Sequence, residues 1–136
     1  MSGEAAEGGC LCGGFRFRAS GAPLYRAYCH CRDCRKATGA PVSVLVGYAA
    51  GQVAFTGGAP EPYDSSPGVR RSFCGGCGTS VSYEDRRLPG EVYLHVGLFD
   101  DPEPLVPETH SWASQRLGWL SVGDDLPLHA RSSRPR

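Results

Sequence analysis

The sequence has no long hydrophobic run. Its longest apolar stretch, Val42 to Ala50, is interrupted by Ser43 and Gly47, far short of the roughly 18 residues that a bilayer-spanning helix requires, so no membrane partner is expected. The amino-terminal "MSGEAAEGGC" lacks the basic start and apolar core of a secretory signal. Net charge is also missing: 14 basic side chains balance 14 acidic ones, whereas general nucleic-acid binding calls for a basic stripe on a clearly positive domain. There is no internal repeat. The only low-complexity pieces are the two ends, and the sequence predicts one domain over 1–136, with an ordered core at about 8–128 and flexible ends at 1–7 and 130–136. No feature of the sequence sets the oligomeric state.

What the chain does have is turns. With 19 glycines and 11 prolines, long helices are excluded, and the pattern predicts a mainly β fold with short helical turns. "FRFRAS" alternates as a strand does, "VSVLVGY" is a β-branched apolar run, and "QVAFTG", "TSVSYE" and "EVYLHVGLF" read as further strands. One short helix is expected over "RDCRKATG", started by Asp33 and ended by Gly39. Trp112 and Trp119, in a closing segment "THSWASQRLGWL", are expected in the core, because large aromatics dominate small cores.

A turn-rich domain of this size gains from cross-links or metals, and seven cysteines are present to supply them. An odd number leaves one thiol over from any all-disulfide framework, which favours a reducing, cytoplasmic setting. The cysteines fall into three groups: Cys10 and Cys12, then Cys29, Cys31 and Cys34, then Cys74 and Cys77. Zinc takes thiolates in a tetrahedral shell, and a two-residue gap lets a tight turn aim both sulfurs at one ion. The glycine-rich "CLCGG" and "CGGCG" suit such turns, with amides of Gly75, Gly76 and Gly78 free to point at sulfur. Pairing them gives a closed four-thiolate site that ties together distant segments, a structural zinc.

Cys29, Cys31 and Cys34 remain. Three protein ligands with a fourth position for water or substrate is the pattern of catalytic zinc. The surroundings are basic, with Arg26, Arg32, Arg35 and Lys36 close in sequence, which favours thiolate and attracts carboxylates. Arg32, Arg35 and Lys36 are the expected contacts for an anionic thiol. Two blander readings stand beside this one. His30, His95 or His110 would complete a second structural site, and the basic residues would be only a solvated face. Iron–sulfur binding is disfavoured because neither common ferredoxin spacing occurs.

The stretches "GGCLCGGFRFR", "CHCRDCRKATGAP" and "FCGGCGTSV", in that order and followed by "THSW" and "LGW", resemble the glutathione-dependent formaldehyde-activating (GFA) family, which also includes the domain of centromere protein V. The resemblance spans residues 8 to 120. It implies an Mss4-like, zinc-stabilised β fold, structural zinc on Cys10, Cys12, Cys74 and Cys77, and catalytic zinc on Cys29, Cys31 and Cys34. It also implies a carbon–sulfur lyase-type activity on S-hydroxymethylglutathione, with glutathione as co-substrate and an aldehyde as partner. A non-catalytic zinc module that binds or carries glutathione or a protein partner is the alternative.

Overall fold

The computed structural model describes residues 5–134. Its strands are β1 (Ala5–Gly9), β2 (Arg16–Ser20), β3 (Tyr25–Cys29), β4 (Ser43–Ala49), β5 (Val53–Thr56), β6 (Glu61–Ser66), β7 (Val69–Phe73), β8 (Ser80–Asp85), β9 (Glu91–His95) and β10 (Thr109–Ser111), with one helix, α1 (Arg32–Thr38), between β3 and β4. β1, β2 and β5 form an antiparallel three-stranded sheet. The other seven form a sheet in the order β10-β3-β4-β9-β8-β7-β6, antiparallel except where β10 runs parallel to β3. The mainly β architecture expected from the turn content is therefore present as two sheets.

Alternation decides which residues meet. In β2, Phe17 and Ala19 are buried while Arg16, Arg18 and Ser20 face out, the period-2 pattern of a strand with one wet face. β4 has no wet face, and its side chains divide between two cores: Val46 and Tyr48 pack with Phe17, Leu94 and Phe99, whereas Leu45 packs with Cys29, Cys34 and Tyr93. β8 keeps this division despite a slip in register. Ser72 pairs with Ser82 and Phe73 with Ser80, leaving Val81 without a partner on β7. This bulge lets Val81 enter the first core and Tyr83 reach the second, although the two residues share parity.

Gly47 shapes the second core. It lies between Tyr25 on β3 and Tyr93 on β9 in register, and a Cβ there would stand 2.6 Å from the Tyr93 ring. The bare backbone lets the two rings meet edge to face, their centroids 5.6 Å apart.

Several expectations need correction. α1 begins after Cys31, not at Asp33; the Cys31 sulfur accepts from the Cys34 amide at 3.2 Å and so caps the helix. Asp33 sits in the first turn, and Gly39 ends the helix in the left-handed conformation, φ 73°. "EVYLHVGLF" is a strand only to His95 and then turns once over Val96–Leu98. Trp119 is 74% exposed rather than in the core, and Trp112, in the left-handed region at φ 55°, packs against the second core. The fraying expected at 1–7 and 130–136 falls partly on residues outside those described. Within them, Ala5, Ala6 and Glu7 pair with β2, and Arg134 forms a two-pronged ion pair with Glu91, Nη2 to Oε2 at 2.6 Å and Nε to Oε1 at 3.2 Å.

Candidate metal centre

The seven cysteines are all free thiols and gather into two groups, Cys10, Cys12, Cys74 and Cys77 in one and Cys29, Cys31 and Cys34 in the other. Within each group all the sulfurs lie within 4.8 Å of one another.

The four-cysteine group is built from two tight turns. Gly13 donates to the Cys10 carbonyl at 3.1 Å and Gly78 to the Cys74 carbonyl at 2.8 Å, each glycine at a positive φ that other residues resist, 75° and 79°. The sulfur of Cys12 stands 3.6 Å from that of Cys10 and 3.7 Å from that of Cys74. Four sulfurs placed tetrahedrally at about 2.3 Å from a zinc ion would be about 3.8 Å apart, so these two separations suit that ion, and all four sulfurs are near enough to share one. Thr79 joins the turns: its hydroxyl accepts from the Leu11 amide at 3.1 Å and meets the Cys77 sulfur at 3.0 Å. That hydroxyl and the Thr79 amide hold the Cys77 thiol down at about 6. Amide donation to sulfur, expected from Gly75, Gly76 and Gly78, comes instead from Gly14 to Cys12 at 3.4 Å and from the Thr79 and Cys12 amides to Cys77.

The three-cysteine group lies where β3 hands over to α1. Cys29 ends the strand, Cys31 caps the helix and Cys34 is in its first turn, with Cys29 and Cys34 buried. Among the described residues no histidine joins the group. His30 points the other way, its Nε2 2.8 Å from His110 Nδ1. The three sulfurs face a cavity of about 300 Å³ walled by Tyr25, Tyr83, Tyr93 and Trp112, at the small end of ligand-binding clefts.

Four arginines reach this cavity: Arg32, Arg71, Arg87 and Arg134. Arg32 pairs with Asp33, Arg87 with Asp85 and Arg134 with Glu91. Arg71 alone has no carboxylate within ion-pair distance among the described residues. Its Nη1 and Nη2 both lie 3.8 Å from the Cys34 sulfur, and its guanidinium covers the Tyr83 ring at 5.0 Å. Hydrogen bonds from the Cys29 and Cys31 thiols, with Arg71 added, hold the Cys34 thiol far below its ordinary range, while the same contacts and burial push Cys29 up. Of the three thiols, the one beside Arg71 is thus the one whose ionisation its neighbours favour.

The basic residues singled out from the sequence are scattered. Arg32 lines the cavity. Arg35 is tied to the main chain, donating to the His30 carbonyl at 2.9 Å and the Gln115 carbonyl at 2.6 Å. Lys36 lies on a neighbouring cavity that also touches Arg71 and His95. Arg71 was missed because nearness in sequence ties "VRRSF" to Cys74. The available signal was strand alternation: Arg70 turns outward to Asp64, which sends Arg71 to the opposite face.

The model of the family described as glutathione-dependent formaldehyde-activating enzyme matches residues 5–115. The chain belongs to this family. Among solved structures, a structural-genomics crystal structure of a Rhodobacter sphaeroides protein is similar to the GFA chain, at 20% identity and TM-score 0.61 over 90% of this chain and 99% of that one, a likeness of fold. No protein of curated function matches. No helix among the described residues is long and apolar enough to cross a membrane.

Proposed function

We propose that this GFA-family chain is a zinc-dependent carbon–sulfur lyase-type enzyme that joins the thiol of glutathione, or a similar thiol, to formaldehyde or another small aldehyde. The observation that carries this reading is the meeting of three sulfurs, without a fourth protein ligand among the described residues, in a cavity whose one carboxylate-free guanidinium stands against Cys34. Cys10, Cys12, Cys74 and Cys77 would hold a structural zinc ion, and Cys29, Cys31 and Cys34 a second one. A zinc ion with three protein thiolates supplies Lewis acidity and keeps an incoming thiol ionised near neutral pH.

The side chains supply the rest. Arg71 offsets the charge of the thiolate cluster and offers a partner to a ligand carboxylate, aided by Arg32 at the mouth. Tyr25, Tyr83, Tyr93 and Trp112 limit the space to a small thiol and aldehyde and hold them together. In the addition, a bond forms between sulfur and the carbonyl carbon, the carbon–oxygen π pair moves to oxygen, and the proton given up by the thiol is regained there. A compartment that keeps thiols reduced suits this chemistry.

Exchange spectroscopy with carbon-13 formaldehyde and glutathione tests the reading. Interconversion of free aldehyde and adduct is expected to be faster with enzyme than in buffer, and to return to the buffer rate with Cys34→Ser. Binding without acceleration would leave a glutathione-binding or carrier module instead.

A further inference from the structure

Behind the three-cysteine group runs a polar chain, buried at its two histidines and open to solvent at its aspartate, that the proposed reaction does not use. His30, between two of the cysteines, is 2% exposed, and its Nε2 lies 2.8 Å from His110 Nδ1. His110 is 3% exposed, and its Nε2 lies 3.1 and 3.2 Å from the two carboxylate oxygens of Asp124. The Tyr28 ring stacks on His110, centroids 4.5 Å apart and planes 9° from parallel. β10 fixes the register, pairing His110 with Tyr28, and the His30 amide donates to the Ser111 carbonyl at 3.1 Å.

The direction of these bonds follows from the groups themselves. A carboxylate only accepts, so the His110 proton is on Nε2. In the tautomer that the carboxylate selects, His110 Nδ1 offers a lone pair and takes the hydrogen from His30 Nε2. The Asp124 carboxylate thus selects one tautomer and one orientation for both rings in turn. The remaining nitrogen, His30 Nδ1, is buried with no hydrogen-bond partner among the described residues. Among the described residues the hydrogen-bond grip on the His30 ring comes from His110, while Ser111 and Arg35 hold its main chain.

We propose that Asp124, acting through His110 and His30, is a positioning residue that holds the turn carrying Cys29 and Cys31, so that the loop around Asp124 governs metal affinity at the three-cysteine group and not at the four-cysteine group. This rests on reading Cys29, Cys31 and Cys34 as a metal centre. A carboxylate behind an imidazole orients histidines that ligate metals directly. Here the oriented ring belongs to the residue between two ligands, and the effect reaches the sulfurs through the main chain. Asp124 is itself anchored by the Leu126 amide at 3.0 Å.

Cobalt(II) titration under reducing conditions, with chelator competition, tests the device on the full chain. Wild type is expected to take two equivalents, with the bands of the three-cysteine group identified by their loss in Cys34→Ser. In Asp124→Ala the four-cysteine group keeps its affinity, while the other loses roughly ten- to a hundredfold and its ligand-field bands shift. Asp124→Asn keeps an oxygen to accept from His110 and recovers most of the loss; His110→Ala behaves as Asp124→Ala. Wild-type affinity and spectrum in Asp124→Ala overturn the proposal. So do equal losses in the Ala and Asn variants, which assign the effect to charge, and equal weakening of both groups, which assigns it to general instability. A wild-type protein that takes only one equivalent instead removes the metal-centre reading itself.

Discussion

Arg71 holds both of its terminal nitrogens 3.8 Å from the sulfur of Cys34, although 37 residues separate the two in sequence. A guanidinium placed on a sulfur rather than on a carboxylate neutralises part of the thiolate charge and stays open to a second anion. Arg71→Ala is expected to weaken glutathione binding about tenfold, while binding of mercaptoethanol, which carries no carboxylate, changes less. Calorimetry with the two thiols measures the difference. Equal losses would mean that Arg71 serves only the cysteines.

The two cysteine groups differ in completeness, and their metals should differ in hold. Native mass spectrometry of zinc-loaded protein is expected to give two ions, with a mild chelator taking one before the other. Cys12→Ser should unfold the domain, as read by circular dichroism, whereas Cys34→Ser should remain folded with one ion. Equal loss of structure in both variants would make the three-cysteine group structural.

Acid should loosen the carboxyl-terminal arm. The Arg134 guanidinium, despite partial burial, holds the Glu91 carboxyl below its ordinary range. A carboxylate depressed on folding adds stability that is fully present above its unfolded pKa of about 4.3 and is lost as pH falls through the lower folded value. Arg134→Ala is therefore expected to cost about 1–2 kcal/mol near neutrality and to approach wild type below pH 4 or so. Thermal melts across that range decide it; a gap that does not narrow in acid would discard the ion pair as the cause.

Gly47 should tolerate no side chain. Alanine there would press on the Tyr93 ring, at a cost of about 1–3 kcal/mol for overpacking. Urea denaturation of Gly47→Ala measures this, and an unchanged midpoint would show that the ring moves aside freely.

The gathering of the sulfurs into two groups was legible because close cysteine spacing is a local signal and because the glycine turns shared by Cys12 and Cys77 mark two distant pairs as alike. β2, β4 and β8 were legible through alternation or β-branched runs. β6 was not: every residue from Glu61 to Ser66 is exposed, so no burial pattern marks it, and it exists through pairing with β7. The start of α1 was misplaced because sulfur is a rare cap, and Cys31 takes the position that Asp33 would ordinarily claim. Arg71 was open to strand alternation in β7, but which of Arg70 and Arg71 faces the cavity shows only once Arg70 is seen paired with Asp64.

The sulfurs of Cys12 and Cys74 meet across 62 residues of chain, and that span contains Cys29, Cys31, Cys34 and Arg71. The four-cysteine group is thus the clasp of a long loop that brings the three sulfurs and Arg71 to a cavity whose other walls, Tyr83, Tyr93 and Trp112, come from the chain beyond it. If both groups hold metal as proposed, failure is one-directional: emptying the three-cysteine group would leave the clasp shut, whereas opening the clasp would free the loop and carry the three sulfurs and Arg71 away from the other walls. On that reading, metal scarcity would cost the protein its proposed activity before it cost the protein its fold.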